Sequence, residues 1–302
     1  MHVLILGATG FLGRALIQEL LSGGNQITVV TRNRDKAAQT LPGGLRILQW
    51  DYASPLASTQ ELEQVDAVVN LAGTSIGDRR WSPSVKQEIM TSRINATRLL
   101  VGALNDGTIK PKVLLNASAV GYYGPRGDEK ITENDRAGND FLAQVCKNWE
   151  KEAYRVQNPA TRVVALRIGV VLDREGALKR MVMPYRFYLG GPLGSGNQWL
   201  SWIHREDLIK MMQFILDHDE LKGPVNGTAP NPVTMREFAN TLGEVLQKPS
   251  RFTVPDFLLK LGLGQMSEML LHGQRAIPEK IINAGFRFRY PNLRQALEDI
   301  LL

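Results

Sequence analysis

The sequence predicts an α/β protein with a doubly wound parallel sheet, and three observations support this fold class. Short runs rich in β-branched residues alternate with segments of helical periodicity through the first half of the chain. The runs are almost wholly apolar, as expected for strands covered by helices on both faces. The first run ends in a glycine-rich turn that opens a helix. Because crossovers between parallel strands are right-handed, we expect a Rossmann-type sheet with a smaller C-terminal lobe.

The elements of the first half follow from the positions of apolar and turn residues. Strands are predicted at residues 2–6, 26–31, 46–49, 67–71, 112–117 and 163–168. Helices are predicted from Phe11 to a stop at Ser22-Gly23-Gly24, and over residues 85–104 and 140–156. We expect residues 1–170 to form the nucleotide-binding domain.

The second half, residues 171–302, is less regular and is expected to form a substrate-binding lobe. We predict a loop at 190–196, helices at 205–217 and 234–246, and a strand near 224–228 that returns to the sheet. Thr234 and Glu237 have the spacing of a capping box at the start of the later helix. Glycines interrupt the amphipathic segment 255–271, which favours a cap over a ligand cleft; a helix on a membrane surface is the alternative.

Composition excludes several classes of protein. The chain has 302 residues, of which 43% are hydrophobic and 22% charged, so it is neither disordered nor collagen-like. Its one cysteine, Cys146, excludes an internal disulfide and a cysteine-based zinc site. No apolar run is long enough to span a membrane, and the first strand leaves no room for a signal peptide, so we expect a cytoplasmic protein.

The net charge of +6 and the pI of about 9.4 raise the question of an anionic partner. Basic and acidic residues are interspersed, without a block of five like charges. This pattern favours a basic surface around a phosphate-bearing small ligand over nucleic-acid binding.

The turn after the first strand has the spacing of a dinucleotide-binding loop. Glycines in it allow a tight turn, close approach of the backbone to a pyrophosphate, and close packing of helix on strand. The helix N-terminus then offers free N–H groups to the phosphates. The residues expected to contact the coenzyme here are Gly7, Thr9, Gly10, Phe11, Leu12 and Gly13. A purely structural glycine turn is the alternative.

The end of the second strand favours NADP(H) over NAD(H). An acidic residue there would bind the ribose 2′-hydroxyl, but this sequence has Arg32 and Arg34, which can hold a 2′-phosphate. Asp51 follows the third strand, where it can accept from the adenine amino group or cap a turn. Leu71, Ala72 and Gly73 follow the fourth strand and would let the coenzyme pass close to the backbone. 

Several motifs together resemble the short-chain dehydrogenase/reductase superfamily, in its extended branch of sugar-nucleotide epimerases. They are Gly7-Ala8-Thr9-Gly10-Phe11-Leu12-Gly13, Asn70-Leu71-Ala72-Gly73, Ser118-Ala119-Val120-Gly121-Tyr122-Tyr123-Gly124 and Trp202-Ile203-His204-Arg205-Glu206-Asp207-Leu208. The chain is most similar to a subgroup called "epimerase family", some plastid and cyanobacterial members of which are labelled cell-division-inhibitor-like. The resemblance implies a Rossmann fold, NADP binding and oxidoreductase or epimerase chemistry. It also implies a monomer or a homodimer paired through helices.

The catalytic Tyr-x-x-x-Lys pair that the superfamily carries on the helix after the fifth strand is missing. When Glu150 is matched to the usual helix Glu, Leu142 falls at the tyrosine position and Cys146 at the lysine position. Lys147 is one residue out of register, about 100° around the helix. We expect Cys146 to be a small core residue and not a nucleophile.

Other residues are candidates for the chemistry. Ser118 lies near the usual serine position and is expected to touch the substrate or the nicotinamide, and Tyr122 and Tyr123 are candidate proton donors or packing residues. Arg167 ends the sixth strand and can hold an anion. Further substrate-binding candidates are Gln198, Trp199, Trp202 and His204; a structural role at the strand–helix junction is the alternative for His204, and Asp207 is expected to cap the next helix. No metal-binding or phosphoryl-transfer motif is present.

These observations predict an NADP(H)-binding oxidoreductase or epimerase-like protein acting on an unidentified small carbonyl or sugar-nucleotide substrate. Hydride would pass between the nicotinamide and a carbon near Ser118. The alternative is a non-catalytic, NADP-bound regulatory or interaction protein, with a role in cell or plastid division.

Overall fold

A computed structural model describes residues 1–57, 59, 62 and 64–302. In chain order its strands are β1 (His2–Leu6), β2 (Gln26–Thr31), β3 (Arg46–Gln49), β4 (Ala67–Asn70), β5 (Val113–Ala119), β6 (Lys130–Ile131), β7 (Arg162–Ile168), β8 (Val170–Leu172), β9 (Trp199–Leu200), β10 (Trp202–His204), β11 (Gly223–Gly227), β12 (Val233–Thr234) and β13 (Arg275–Ala276). The helices are α1 (Phe11–Ser22), α2 (Arg34–Thr40), α3 (Pro83–Asn105), α4 (Phe141–Ala153), α5 (Gly176–Arg186), α6 (Arg205–Asp217), α7 (Met235–Val245), α8 (Asp256–Leu263), α9 (Glu268–Leu271), α10 (Glu279–Asn283) and α11 (Leu293–Leu301).

A parallel sheet of seven strands, in the order β11-β7-β5-β4-β1-β2-β3, forms the centre of the described chain. The chain begins in the middle of this sheet with β1, moves outward to β3, and then continues from β4 on the other side of β1. The strand order therefore reverses between β1 and β4, and open α/β sheets bind their ligands at the carboxyl ends of such strands. The predicted fold class is confirmed.

Helices cover both faces of the sheet. Successive residues of each strand point to opposite sides, and the residues on both sides are apolar and buried. Val3 and Ile5 of β1 pack in a cluster with residues of α1 and α6, whereas Leu4 and Leu6 pack in a second cluster with residues of α3. The predicted return of the chain is observed, since β11 pairs with β7. The chain therefore leaves the sheet after β7. It returns through α6, which packs on the sheet, to β11, and then leaves the sheet again.

The C-terminal lobe has its own core, built around the fully buried Trp202 and Phe238 with residues of α5, α7 and α11. The predicted capping box is present at the start of α7, where Thr234 Oγ1 accepts from the Glu237 N–H. In the described chain, no helix is both long and apolar enough to cross a membrane.

The predicted cap, residues 255–271, consists of α8, a short 3-10 helix and α9. Gly264 has a φ of +60°, which ends α8 at the predicted break. Met266 and Met269 pack with Trp81 and with Leu142 of α4. The segment therefore reaches across to the sheet domain, next to the helix that carries the catalytic residues in the family that the sequence resembles.

Candidate functional site

The turn between β1 and α1 brings the backbone very close to the end of β4. Gly7 has a φ of +77°, and a Cβ atom built on it would lie 2.6 Å from the Leu71 carbonyl carbon and oxygen. A Cβ on Gly13 would lie 2.5 Å from the Gly7 oxygen and 2.6 Å from the Ala8 oxygen. Real Cβ atoms do not approach other atoms so closely, so glycine is required at both positions.

The start of α1 faces the edge of the sheet without a capping side chain. Gly10 is the N-cap residue, is exposed, and forms no side-chain cap. The N–H groups of the first helical turn are therefore left for a ligand. A bare backbone at a helix N-terminus, beside the point where the strand order reverses, fits the pyrophosphate of a dinucleotide.

Two arginines lie exposed at the end of β2. Arg32 follows the strand, and Arg34 is the first residue of α2, whose N-cap is Asn33. Neither arginine forms a salt bridge with another residue of the described chain. Both guanidinium groups are thus exposed at the end of β2 without a salt-bridge partner in the described chain, and the charge of Arg32 acts at longer range on the Glu88 carboxylate.

Asp51 lies nearby, after β3. Its carboxylate accepts from the Ala53 N–H at 2.8 Å, so it stabilises a turn, which was one of its two predicted roles. It is exposed and lines an open cavity of about 360 Å³ with Trp50 and Leu56.

The end of β4 is held by a buried hydrogen-bond network. Asn70 Nδ2 donates to Thr97 Oγ1 at 2.9 Å and to Asn116 Oδ1 at 2.7 Å, and its Oδ1 accepts from the Ala72 N–H. Trp149 Nε1 also donates to Thr97 Oγ1. Leu71, Ala72 and Gly73 are thereby fixed beside the glycine turn.

Ser118 and Arg167, which were expected to contact a ligand, belong to a buried hydrogen-bond network instead. Ser118 Oγ donates to Glu150 Oε1 at 2.7 Å, and Arg167 binds both oxygens of the same carboxylate at 2.9 and 2.8 Å. Ser118 is 4% exposed and Arg167 is 3% exposed. The structure therefore does not present either side chain to a substrate, because Glu150 on α4 holds both of them inside.

The two candidate tyrosines have different environments. Tyr123 is fully buried; its hydroxyl donates to Asn226 Oδ1 at 2.6 Å and accepts from Arg167, and burial raises its pKa to about 12. Tyr123 is therefore a packing residue here, not an accessible proton donor. Tyr122 is half-buried, with its ring 3.5 Å from the Arg167 guanidinium carbon.

Apolar groups occupy the places of the missing Tyr–Lys pair. Leu142 Cβ would lie 3.3 Å from a Cβ on Gly121, so Leu142 faces the turn that follows β5. Cys146 is buried one turn further along α4, and burial together with the nearby Glu150 carboxylate raises the pKa of its thiol to about 12. At neutral pH the thiol stays protonated, which agrees with its predicted role as a small core residue.

The predicted substrate residues of the second half do not form one wall. Trp202 is completely buried in the core of the lobe, and its Nε1 donates to the Asn231 oxygen. Gln198 donates to the Leu193 and Leu270 oxygens and so links the glycine loop to the cap. Trp199 is half-buried and lies under the Arg275 guanidinium, 4.2 Å from ring centre to Cζ. Of the two tryptophans, only Trp199 keeps a partly accessible ring.

His204 lines a cavity of about 530 Å³ together with residues of α1, α6 and α11. Its Nδ1 accepts from the Glu206 N–H, so it is the N-cap of α6, and its ring packs 4.0 Å from that of Tyr290. Asp207 does not cap α6 as expected; its carboxylate accepts from the Arg289 and Tyr290 N–H groups and ties down the chain before α11. The structural role of His204 is the one observed.

Burial lowers the pKa of His204 below 6.5, despite the nearby carboxylates of Asp299, Asp207, Glu206 and Asp173. Above pH 6.5 both the folded and the unfolded chain hold this ring neutral. As the pH falls below 6.5, the unfolded chain takes up a proton that the folded chain resists, so the free energy of unfolding falls. We expect His204→Asn, which keeps a capping acceptor, to lose less melting temperature than the wild type between pH 7.5 and pH 5. Parallel losses in both proteins would contradict this account.

Sequence reasoning did not assign structural roles to Glu150 and Thr97, and it did not consider the role of Arg93. All three lie on helix faces that are otherwise apolar: Arg93 and Thr97 share the face of α3 with Ile89, Ala96 and Leu100. A polar residue at the spacing of a buried stripe was the available signal. Among the described residues there is no group of three or more metal-ligating side chains.

A model of the NAD dependent epimerase/dehydratase family matches residues 3–226. The chain belongs to this family. A domain of unknown function, DUF1731, matches residues 254–300, which include the cap and α11. The family assignment agrees with the superfamily that the sequence motifs resemble.

Known relatives are similar over the whole chain. The Bacillus subtilis epimerase family protein YfhF is 41% identical over 302 residues, covering 100% of this chain and 98% of the relative. A chloroplastic SDR39U1 homolog of Arabidopsis thaliana is 41% identical over 309 residues, covering 100% and 87% of the two chains. The crystal structure of human epimerase family protein SDR39U1 with NADPH has a TM-score of 0.88 at 36% identity, with 99% of each chain covered.

Proposed function

We propose that this family member is an NADP(H)-binding oxidoreductase or epimerase-like protein acting on a small carbonyl or sugar-nucleotide substrate. The glycine turn carries the proposal, because Gly7 and Gly13 leave no space for side chains where α1 begins without a cap. A bound nicotinamide coenzyme supplies the hydride chemistry. The residues proposed to contact it are Gly7, Thr9, Gly10, Phe11, Leu12, Gly13, Arg32, Arg34, Asp51, Leu71, Ala72 and Gly73.

The choice of NADP(H) over NAD(H) rests on Arg32 and Arg34. Both are exposed at the end of β2, and neither forms a salt bridge within the described chain. A planar guanidinium binds a phosphate through two hydrogen bonds, and removing the phosphate removes that interaction. The human relative crystallised with NADPH supports the same choice.

Replacing Arg32 by aspartate is expected to weaken NADPH binding by about 100-fold, since a charge-assisted contact is lost and a repulsive charge is gained. NADH binding should change by less than threefold, because NADH has no 2′-phosphate. Isothermal titration calorimetry measures both affinities. Arg46→Asp is the matched control, because it changes the net charge equally. Arg46 lies exposed at the amino end of β3, whereas Arg32 follows the carboxyl end of the parallel strand β2. An equal loss of NADPH and NADH affinity would contradict the role of Arg32.

For the chemical step, we propose that Tyr122 is the proton donor. The half-buried position of Tyr122 supports this proposal, because the side chains of Tyr123 and Ser118 are buried. Tyr122→Phe should lower kcat for NADPH-dependent reduction while leaving the Kd for NADPH unchanged. NADPH oxidation against a panel of aldehydes, ketones and sugar nucleotides tests the activity itself, and turnover by the Phe variant equal to that of the wild type would contradict the assignment.

A non-catalytic, NADP-bound regulatory protein is the second candidate. It is supported by Leu142 and Cys146, which put apolar groups where the superfamily has its ionisable pair. Coenzyme binding alone raises the melting temperature of the folded state. This candidate predicts a thermal shift with NADPH and no turnover of any carbonyl in the panel, whereas turnover would exclude it.

A further inference from the structure

Arg93 is a cation on the buried face of α3. It follows Ile89 by one helical turn and precedes Ala96 and Leu100, all of which are buried. Its Nη1 donates to the Ile89 oxygen at 3.0 Å, but within the described chain it forms no ion pair with a carboxylate. Arg98, on the same helix, is different: it is exposed and pairs with Glu152 at 3.1 Å.

The guanidinium of Arg93 lies at the end of β4. A Cβ on Gly73 would be 3.0 Å from Arg93 Cζ and 3.2 Å from Nε, so the guanidinium lies directly beside Gly73. Its Cζ is 5.1 Å from the centre of the Trp149 ring. Gly73 thus makes room for Arg93 as well as for the coenzyme that we propose.

Arg93 also lies near the place of the missing lysine. Its charge and the Cys146 thiol interact, and Cys146 stands at the position that the superfamily gives to lysine. The Arg93 side chain reaches this place from α3, whereas the family's lysine comes from the helix that corresponds to α4. A positive charge is therefore present near the Cys146 position of α4, although the usual lysine is not.

An unpaired guanidinium in such surroundings is energetically unfavourable. Arg93 is half-buried and so remains accessible to a ligand. Burial lowers its pKa, because taking a charge out of water without a partner is costly. The cost is recovered when an anion binds, since charge-assisted bonds to carboxylate or phosphate are strong. Structural arginines of this protein, such as Arg167 with Glu150, already have their anion.

We propose that Arg93 is the anion-binding residue of the substrate site and that the substrate carries a carboxylate or a phosphate close to its reacting carbon. This inference rests on the proposed function, because it places the anion beside the bound coenzyme. It narrows the substrates to anionic ones. It also replaces the lysine of the usual pair by a cation that binds the ligand and does not transfer a proton.

The test uses protein saturated with NADPH, so that the glycine turn does not compete for anions. Oxalate and inorganic phosphate are titrated separately, with the melting temperature as the readout. We expect at least one of them to raise the melting temperature of the wild type at millimolar concentration, and the identity of the effective anion distinguishes a carboxylate site from a phosphate site. The apparent affinity should fall at least tenfold in Arg93→Met and remain unchanged in the control Arg98→Met.

Equal shifts in the wild type and Arg93→Met, or no shift in the wild type, would overturn the proposal. A loss of NADPH binding in Arg93→Met alone would assign Arg93 to the coenzyme and also overturn it. If Arg93→Met does not fold, Arg93→Lys decides: a weaker anion affinity supports the proposal and an unchanged one contradicts it. Failure of the wild type to bind NADPH would instead refute the proposed function.

Discussion

Replacing Gly13 by alanine is expected to lower the affinity for NADPH by at least about 100-fold and the melting temperature by roughly 5 °C. The added Cβ would lie 2.5 Å from the Gly7 oxygen and 2.6 Å from the Ala8 oxygen, both of them backbone atoms that no side-chain rotation can move away. Helix α1 must then shift away from the turn, and overpacking of this kind costs about 1–3 kcal/mol. The N–H groups at the start of α1 would no longer face the pyrophosphate. Calorimetric titration and thermal unfolding measure the two effects.

Gly102→Ala is the matched control for this change. Gly102 lies in α3, is exposed, and has no atom within 4 Å of a built Cβ. Because alanine is a better helix former than glycine, the variant should be slightly more stable and should bind NADPH normally. Wild-type affinity in Gly13→Ala would show that the coenzyme does not depend on close packing of this turn, and the central claim about the site would fall.

Replacing Glu150 by glutamine is expected to destabilise the protein by about 3–5 kcal/mol, because it leaves the Arg167 guanidinium buried without a charged partner. Glu150 and Arg167 are 2.8 Å apart with side chains 5% and 4% exposed, and Ser118 donates to the same carboxylate. In the wild type, burial opposes the charge of Arg167, but the Glu150 carboxylate outweighs it and raises the Arg167 pKa above its usual value. In the variant this partner is lost, while the guanidinium stays charged at neutral pH because arginine is not deprotonated in proteins. Urea-induced unfolding measures the loss of stability.

Two further variants separate the buried pair from ordinary ion pairs. Glu150→Leu combined with Arg167→Met removes both charges, so it should recover much of the stability lost in Glu150→Gln. Asp78→Asn breaks the exposed pair between Asp78 and Arg180 and should cost less than about 1 kcal/mol. A loss in Glu150→Gln as small as that in Asp78→Asn would contradict the assignment of a buried, structurally essential pair.

The predicted elements agree closely with the observed ones where local signals are strong. The helix at 205–217 has the predicted bounds, and the capping box at Thr234 is formed. Helices α2, α5 and α11 were not predicted from the sequence. The elements that were predicted differ from the observed ones at their ends: β5 continues to Ala119, two residues beyond the prediction, because Ser118 and Ala119 still pair with β7. An end set by pairing with a strand far along the chain leaves little trace in the local sequence.

Predictions about single side chains were less successful, and the residues differ in an instructive way. Arg167 was expected to bind an external anion, but an internal one, Glu150, comes from a neighbouring helix. Trp202 was expected in the cleft, but its strand turns it into the core of the lobe. In both cases the residue that the side chain contacts lies far along the chain, so it could not be identified from local spacing.

Local chemistry is enough to specify the alternation of strands and helices, the bare glycine turn and the absence of the Tyr–Lys pair, because each depends on residues that are neighbours along the chain. The side chains that face a ligand are decided only when distant segments meet. Glu150 holds Ser118 and Arg167 inside, whereas Arg93 meets no carboxylate in the described chain. The energy of a buried charge depends on which atoms surround it in three dimensions, and those atoms come from helices and strands far apart in sequence.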